Sequence, residues 1–302
     1  MEELCAMPLQ TRFPAFVLVD AHVHVHPGFA GDAFLDAALE NFRKAAAELG
    51  RPEGFLGCLL LAEMSETRRM PGWLRRARNC QGADGMWSFE RTGEAESLVA
   101  RRRSGGSGKN GERLLVIAGR QIVTREGIEV LALAGDAGVL DGMPFGETLH
   151  RVRVSGALPV LPWGFGKWWG RRGELVSGAL ARRGSALLFL GDNAGRPASG
   201  GEPPLFRQAQ DCGVAVLPGS DPLPLSWHAS RAGSYGFVLE GELDAENPAW
   251  DLRRRLRELQ ASPRTFGRRV TLPGFLRDQA ALRARRRRTV IPVGETSAEV
   301  AP

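Results

Sequence analysis

The run Phe16-Val17-Leu18-Val19-Asp20-Ala21-His22-Val23-His24-Val25-His26 most limits what this chain can fold into. Four consecutive apolar residues lead into a strict alternation, so the segment reads as a strand over residues 16–25. Side chains alternate faces along a strand, which places Asp20, His22 and His24 on one side and Val19, Ala21, Val23 and Val25 on the other. Packing the valine face leaves two imidazoles side by side, able to chelate one ion. Zinc, manganese and iron all accept imidazole nitrogen. Asp20 is placed to orient a ligand or to join it. His26 continues the spacing, but Pro27 ends the strand there. Three of the chain's five histidines fall in this one strand, a concentration that a packing role alone does not explain.

The rest of the chain supplies partners for that strand. Asp32 is placed to cap a helix that runs through FLDAALENFRKAAAELG and stops at Gly50. A buried strand follows at 54–64, then a basic helix from Pro71, strand-like alternation over 86–103 and a flexible loop tip at 104–111. RLLVIAGRQIV (113–123) reads as one strand, joined by the turn TREG to a second at 128–134 in a hairpin. From residue 145 helices (145–156, 173–184, 204–213) alternate with strands (157–164, 185–193, 214–222), and the later chain reads as mostly helical. Short connections in that order favour parallel strands with crossover helices. The expected class is therefore α/β, with a closed or distorted (β/α) barrel first and an open doubly wound sheet second. No glycine-rich phosphate loop follows the first strand, which argues against dinucleotide binding.

Composition narrows the setting. The 302 residues are 43% hydrophobic and 25% charged, the balance of a soluble globular protein. No stretch approaches the roughly 20 apolar residues that cross a bilayer, and the N-terminus opens with acids and has no apolar signal region, so no membrane segment is expected. Cys5, Cys58, Cys80 and Cys212 are scattered, which fits a reducing cytoplasm better than a disulfide framework. The net charge of +6 comes from arginine, since Lys44, Lys109 and Lys167 are the only lysines among 40 basic residues. No aromatic residues interleave with the densest cluster, Arg283 to Arg288, so nucleic acid is not the expected partner.

Acidic residues stand near the ends of several expected strands: Glu63, Asp192 and Asp221. In a barrel that rim is where catalytic groups converge. Carboxylates beside the histidines would make a mixed nitrogen–oxygen site that lowers the pKa of a bound water toward ~7. PWGFGKWWGRRG sets Trp163, Trp168 and Trp169 around Lys167, either as a rim that stacks on a substrate or as an aromatic plug. Arg196 and Arg231 are further candidates for pairing with phosphate or carboxylate.

Four segments in order carry a resemblance. VDAHVHVH is similar to an Asp-x-His-x-His motif, LLVIAGRQIVTREGIEVLALA to a central hairpin, ALPVLPWG to a strand that ends in a histidine-proline pair, and VLPGSDPLPL with RAGSYGF to a late Gly-Ser-Asp-x-His segment. Together they resemble the polymerase and histidinol phosphatase superfamily of metallo-hydrolases over residues 16–237. The resemblance implies a distorted (β/α)7 TIM-like barrel and hydrolysis, often of phosphate esters, with up to three metal ions. His22, His24 and Asp221 carry over as ligands. Gln121 stands where the superfamily has glutamate, Glu129 is the nearest donor to a missing histidine, Pro162-Trp163 replaces histidine-proline, and Pro222 and Leu223 follow Asp221 where a histidine is usual. These departures imply one or two ions rather than three.

The expectation is a metal-dependent hydrolase, foremost a phosphoesterase using metal-bound hydroxide, with manganese, zinc or iron as cofactor and a small, phosphorylated molecule as substrate. His22, His24, Asp221 and Glu129 are the expected metal ligands, and Asp192 and Glu63 the catalytic carboxylates. Lys167, Arg231 and Trp163 are expected to contact substrate. An amidohydrolase-like enzyme and a non-catalytic, ligand-binding barrel are the alternatives. The expected layout is an N-terminal arm (1–15), a metal-binding barrel (16–240), a C-terminal helical extension (241–290) and a tail (291–302).

Overall fold

The computed structural model describes residues 12–65, 67–78, 86–103, 112–182 and 187–289. The expected loop tip at 104–111, most of the N-terminal arm and the tail lie outside the described residues. The first strand forms as its sequence demands: β1 (Phe16–Val23) is buried along nearly its whole length. It pairs in parallel with β2 (Phe55–Leu61), which α1 (Gly31–Glu48) connects to it. Helix α1 begins one residue before Asp32, whose carboxylate accepts the Met86 N–H instead of capping the helix (2.6 Å).

After α2 (Met70–Arg78) come β3 (Trp87–Arg91) and β4 (Ser97–Arg102), then β5 (Arg113–Ile117), β6 (Gly119–Val123) and β7 (Glu129–Leu133). Helices α3 (Phe145–Val154), α4 (Arg171–Ala181) and α5 (Pro204–Asp211) alternate with β8 (Leu158–Pro162), β9 (Phe189–Asn193) and β10 (Val216–Gly219). The chain closes with β11 (Tyr235–Glu240), α6 (Pro248–Arg257), β12 (Thr265–Gly267) and α7 (Leu272–Thr289). The expected hairpin is present as β6 and β7, paired antiparallel from Gly119↔Leu133 to Val123↔Glu129.

The expected TIM-like barrel is not. The strands divide into two open mixed sheets, one of seven in the order β12-β11-β1-β2-β5-β4-β3 and one of five in the order β10-β9-β8-β7-β6. Closure would need β10 to pair along β1, but β11 already occupies that edge, antiparallel from Phe16↔Glu240 to Val19↔Phe237. Strand β11 lies within the expected barrel segment but past the last strand read there, 214–222. At the other junction Glu63, two residues past β2, meets Arg120 of β6 through an isolated bridge. The run 113–123, expected as one strand, breaks at Ala118 and gives β5 to one sheet and β6 to the other. Gly119 sits at the break because a Cβ there would overlap the Leu61 carbonyl.

Three apolar clusters hold the layers together. Val17, Val19, Leu56 and Leu60 of the larger sheet share a core with Leu131, Leu133, Val160 and Leu217 of the smaller one. The opposite face of the larger sheet (Leu18, Leu59, Leu114) packs on Phe34, Leu35 and Phe42 of α1. The outer face of the smaller sheet (Val130, Leu161, Leu190) packs on α3, α4 and α5 through Leu149, Val176 and Phe206. Burial on both faces explains the near-continuous apolar runs of the central strands. The C-terminal segment belongs to the same body, since Ala249, Leu252 and Leu256 of α6 join the shared core. No helix among the described residues is long and apolar enough to cross a membrane.

Candidate metal centre

The end of β1 carries one extra residue. Asp20 pairs with Leu59, but Val23 pairs with Leu61, so a bulge lies between them. Bulges re-aim side chains, and they recur beside active sites. Asp20 parts from the histidines here: its carboxylate accepts the backbone N–H groups of Ser220 (2.7 Å), Gly233 (2.8 Å) and His22 (3.2 Å). It thereby ties β1 to the segments that follow β10. Burial pushes the Asp20 carboxyl up to about 7, against the pull of those N–H groups.

His22 and His24 come together. Their Nε2 atoms are 2.9 Å apart, and each lies 3.6 Å from Asp221 Oδ1. At a metal–nitrogen bond of about 2.1 Å, a nitrogen pair 2.9 Å apart subtends roughly 90° at a shared ion. The three side chains form a group that could hold a metal ion. Burial, with the neighbouring His22, lowers the His24 pKa to about 3, which keeps its imidazole in the neutral form that ligates metals. Burial works against the Asp221 carboxylate, but His22, His24 and Lys167 outweigh it and hold its pKa below the ordinary value. His26 is not part of the group; its Nε2–H donates to the Pro222 carbonyl (2.8 Å), and burial lowers its pKa.

Backbone geometry delivers Asp221 to the pair. Its N–H donates to the His22 carbonyl (2.8 Å), and its φ of 46° lies in the left-handed region. Aspartate tolerates that region better than most residues. The approach requires Gly219, where a Cβ would overlap the backbone nitrogen of His22. Asn193 holds the carboxylate from the other side, with Nδ2 donating to Asp221 Oδ2 (3.1 Å) and to the Trp163 carbonyl (2.8 Å).

The other expected site residues each have bonds of their own. Glu129 forms an ion pair with Lys167 and stands apart from the three-residue group. Glu63 Oε1 accepts the N–H groups of Arg69 and Met70 and so caps the start of α2. Burial raises its pKa. Asp192 is held in a two-pronged pair by Arg196 (2.6 and 2.7 Å) and accepts the Tyr235 hydroxyl (2.9 Å). Its oxygens are committed to tying β9 to β11, and Arg196 is likewise committed to Asp192. Trp163 offers its carbonyl to Asn193 while its ring packs on the outer core of the smaller sheet. Trp168 joins that core, edge-on to Phe206, while Trp169 is exposed against Phe165.

Arg231 donates through Nη2 to Asp278 (2.8 Å), and its Nη1 is buried with no hydrogen-bond partner among the described residues. Sequence reasoning missed Asn193, His228 and Asp278. Asn193 had one available signal, its place at the end of a strand next to Asp192; Asp278 had none beyond being an acid in an arginine-rich helix.

No protein-family model matches the chain, and no curated protein matches it. Among solved structures it is similar to PsfC from Pseudomonas syringae, at 13% identity and a TM-score of 0.47, over 91% of this chain and 99% of that one. The resemblance to the polymerase and histidinol phosphatase superfamily thus has no matching family model behind it, and the barrel it implies is absent.

Proposed function

We propose that the protein is a metal-dependent hydrolase acting on a small phosphate ester, with a divalent ion (manganese, zinc or iron) held by His22, His24 and Asp221. The observation that carries this reading is the convergence of two imidazole nitrogens 2.9 Å apart on a carboxylate oxygen 3.6 Å from each. A divalent ion bound there supplies Lewis acidity and an activated water at neutral pH. The chain's own residues supply the rest. His22 and His24 offer nitrogen lone pairs, and Asp221 offsets part of the ion's charge. Arg231 has a spare buried N–H and feels the charge of Asp221, so it suits an anionic oxygen of the substrate. Lys167 also acts electrostatically on His24 and Asp221. The amidohydrolase-like alternative calls for a carboxylated lysine or further histidines, and Lys167 is ion-paired with Glu129 instead.

The test is metal content after repletion with manganese, zinc and iron, in the parent and in a His22→Ala/His24→Ala variant, followed by a screen of phosphate esters against cyclic amides. Metal retained by the parent and lost from the variant, with turnover of a phosphate ester, is the expected result. A parent that retains no metal removes the reading. A parent that retains metal but turns over neither class favours a binding protein.

A further inference from the structure

The segment that carries Asp221 is held from outside by α7. Pro222 accepts His26 Nε2–H (2.8 Å), and the Leu223 N–H donates to His228 Nδ1 (3.0 Å). Because Nδ1 accepts, the imidazole proton sits on Nε2, and that group meets Asp278 Oδ2 (3.0 Å). The same oxygen accepts Arg231 Nη2 (2.8 Å), and Oδ1 accepts Trp227 Nε1 (3.0 Å) and Arg277. Asp278 is 3% exposed and His228 is fully buried, so solvent does not offer substitutes for these bonds. Two turns further along α7, Arg285 donates to the Pro224 carbonyl (2.5 Å). One helical carboxylate therefore fixes both the backbone two residues beyond the metal ligand and the guanidinium closest to it in role.

We propose that Asp278 is a positioning residue for the metal centre, acting on Asp221 through His228 and Leu223 and on the substrate side through Arg231. This rests on the metal reading of His22, His24 and Asp221. Groups that orient a ligand without touching the ion commonly contribute 10- to 100-fold to metal affinity. The bonds favour that role over a purely structural one, because three of the four residues that donate to Asp278 (Trp227, His228 and Arg231) lie in the loop that follows Asp221, and one, Arg277, lies on α7.

The experiment is a cobalt(II) titration of the full chain, read by the visible ligand-field bands, with thermal melts alongside. Asp278→Asn keeps the size but removes the charge and one acceptor. His228→Gln keeps a donor toward Asp278 and drops the acceptor for Leu223. Trp227→Phe removes one bond to Asp278 and leaves the His228 and Arg231 bonds in place. Asp278→Asn and His228→Gln are each expected to weaken cobalt binding by roughly 10-fold or more and to shift the bands, while Trp227→Phe changes neither. If Asp278→Asn does not fold, His228→Gln decides. Folded variants with the parent's affinity and spectrum overturn the proposal, as does an equal loss in Trp227→Phe. A parent that binds no cobalt is a different result, because it removes the metal site itself.

Discussion

Asp221 and His22 are joined twice: the Asp221 N–H donates to the His22 carbonyl at 2.8 Å, and the Asp221 carboxylate lies 3.6 Å from His22 Nε2. The first link fixes the backbone, and only the second needs the charge. Asp221→Asn separates them, since asparagine tolerates the left-handed backbone at φ 46°. We expect the melting temperature to hold while affinity for zinc or manganese drops by at least about 100-fold, the upper end of what outer partners contribute. Calorimetric titration beside a thermal melt checks both. An unchanged affinity would remove Asp221 from the ligand set.

The closeness of β10 to β1 makes a second prediction. Gly219→Ala drives a methyl group into the backbone nitrogen of His22. Overpacking of this kind costs about 1–3 kcal/mol, and here the obstacle is main chain, which has no rotamer to yield. Urea unfolding of the variant should show that loss together with weaker metal binding. A variant as stable as the parent would show that the two strands can part without penalty.

Asp192 was expected to be catalytic, but its bonds to Arg196 and Tyr235 predict an effect on stability instead. Both members of the Asp192–Arg196 pair are buried, and breaking such a pair costs about 3–5 kcal/mol. Tyr235→Phe removes one neutral donor to the carboxylate and should cost about 1 kcal/mol. Denaturant melts of Asp192→Ala and Tyr235→Phe should rank in that order, with metal affinity of Tyr235→Phe unchanged. A Tyr235→Phe protein that is fully stable but poor in metal would return Asp192 to the site.

The pattern of apolar and polar residues revealed elements but not partners. It located β1, the β6–β7 hairpin and the helices from α3 onward, because each has a period that can be read locally. It paired His22, His24 and Asp221 only through a motif. It did not see that β11 would take the edge of β1, because six residues, YGFVLE, carry no mark of where they pair. It read Glu63 as a rim acid, although the amides of α2 are what that carboxylate serves. The long-range bonds that finish the site join residues 28 to 213 positions apart, from Asn193 with Asp221 to Asp20 with Gly233. Spacing along a chain carries no record of such contacts.

His228 makes stability depend on pH. Burial lowers its pKa from 6.5 to about 4, with Arg231 adding to the shift and Asp278 and Asp221 opposing it. Between those values the unfolded chain binds a proton that the folded chain does not, so stability is full above about pH 6.5 and falls as pH drops toward 4. Asp221 and Asp278, both lowered, lose stability on acidification as well. The histidine's share is therefore the difference between parent and His228→Gln in urea melts from pH 7 to 4. Parallel curves would show that His228 titrates normally.

In chain terms the smaller sheet is an insertion between β5 and β11, and each of its junctions with the larger sheet is a glycine pressed against main chain: Gly119 on the Leu61 carbonyl and Gly219 on His22. A side chain at either point would force the two sheets apart. The group that could hold a metal ion straddles one of them, with His22 at the end of β1, His24 one residue beyond it and Asp221 just past the end of β10. The three donors therefore meet beside a contact between the sheets too close to admit one added methyl group.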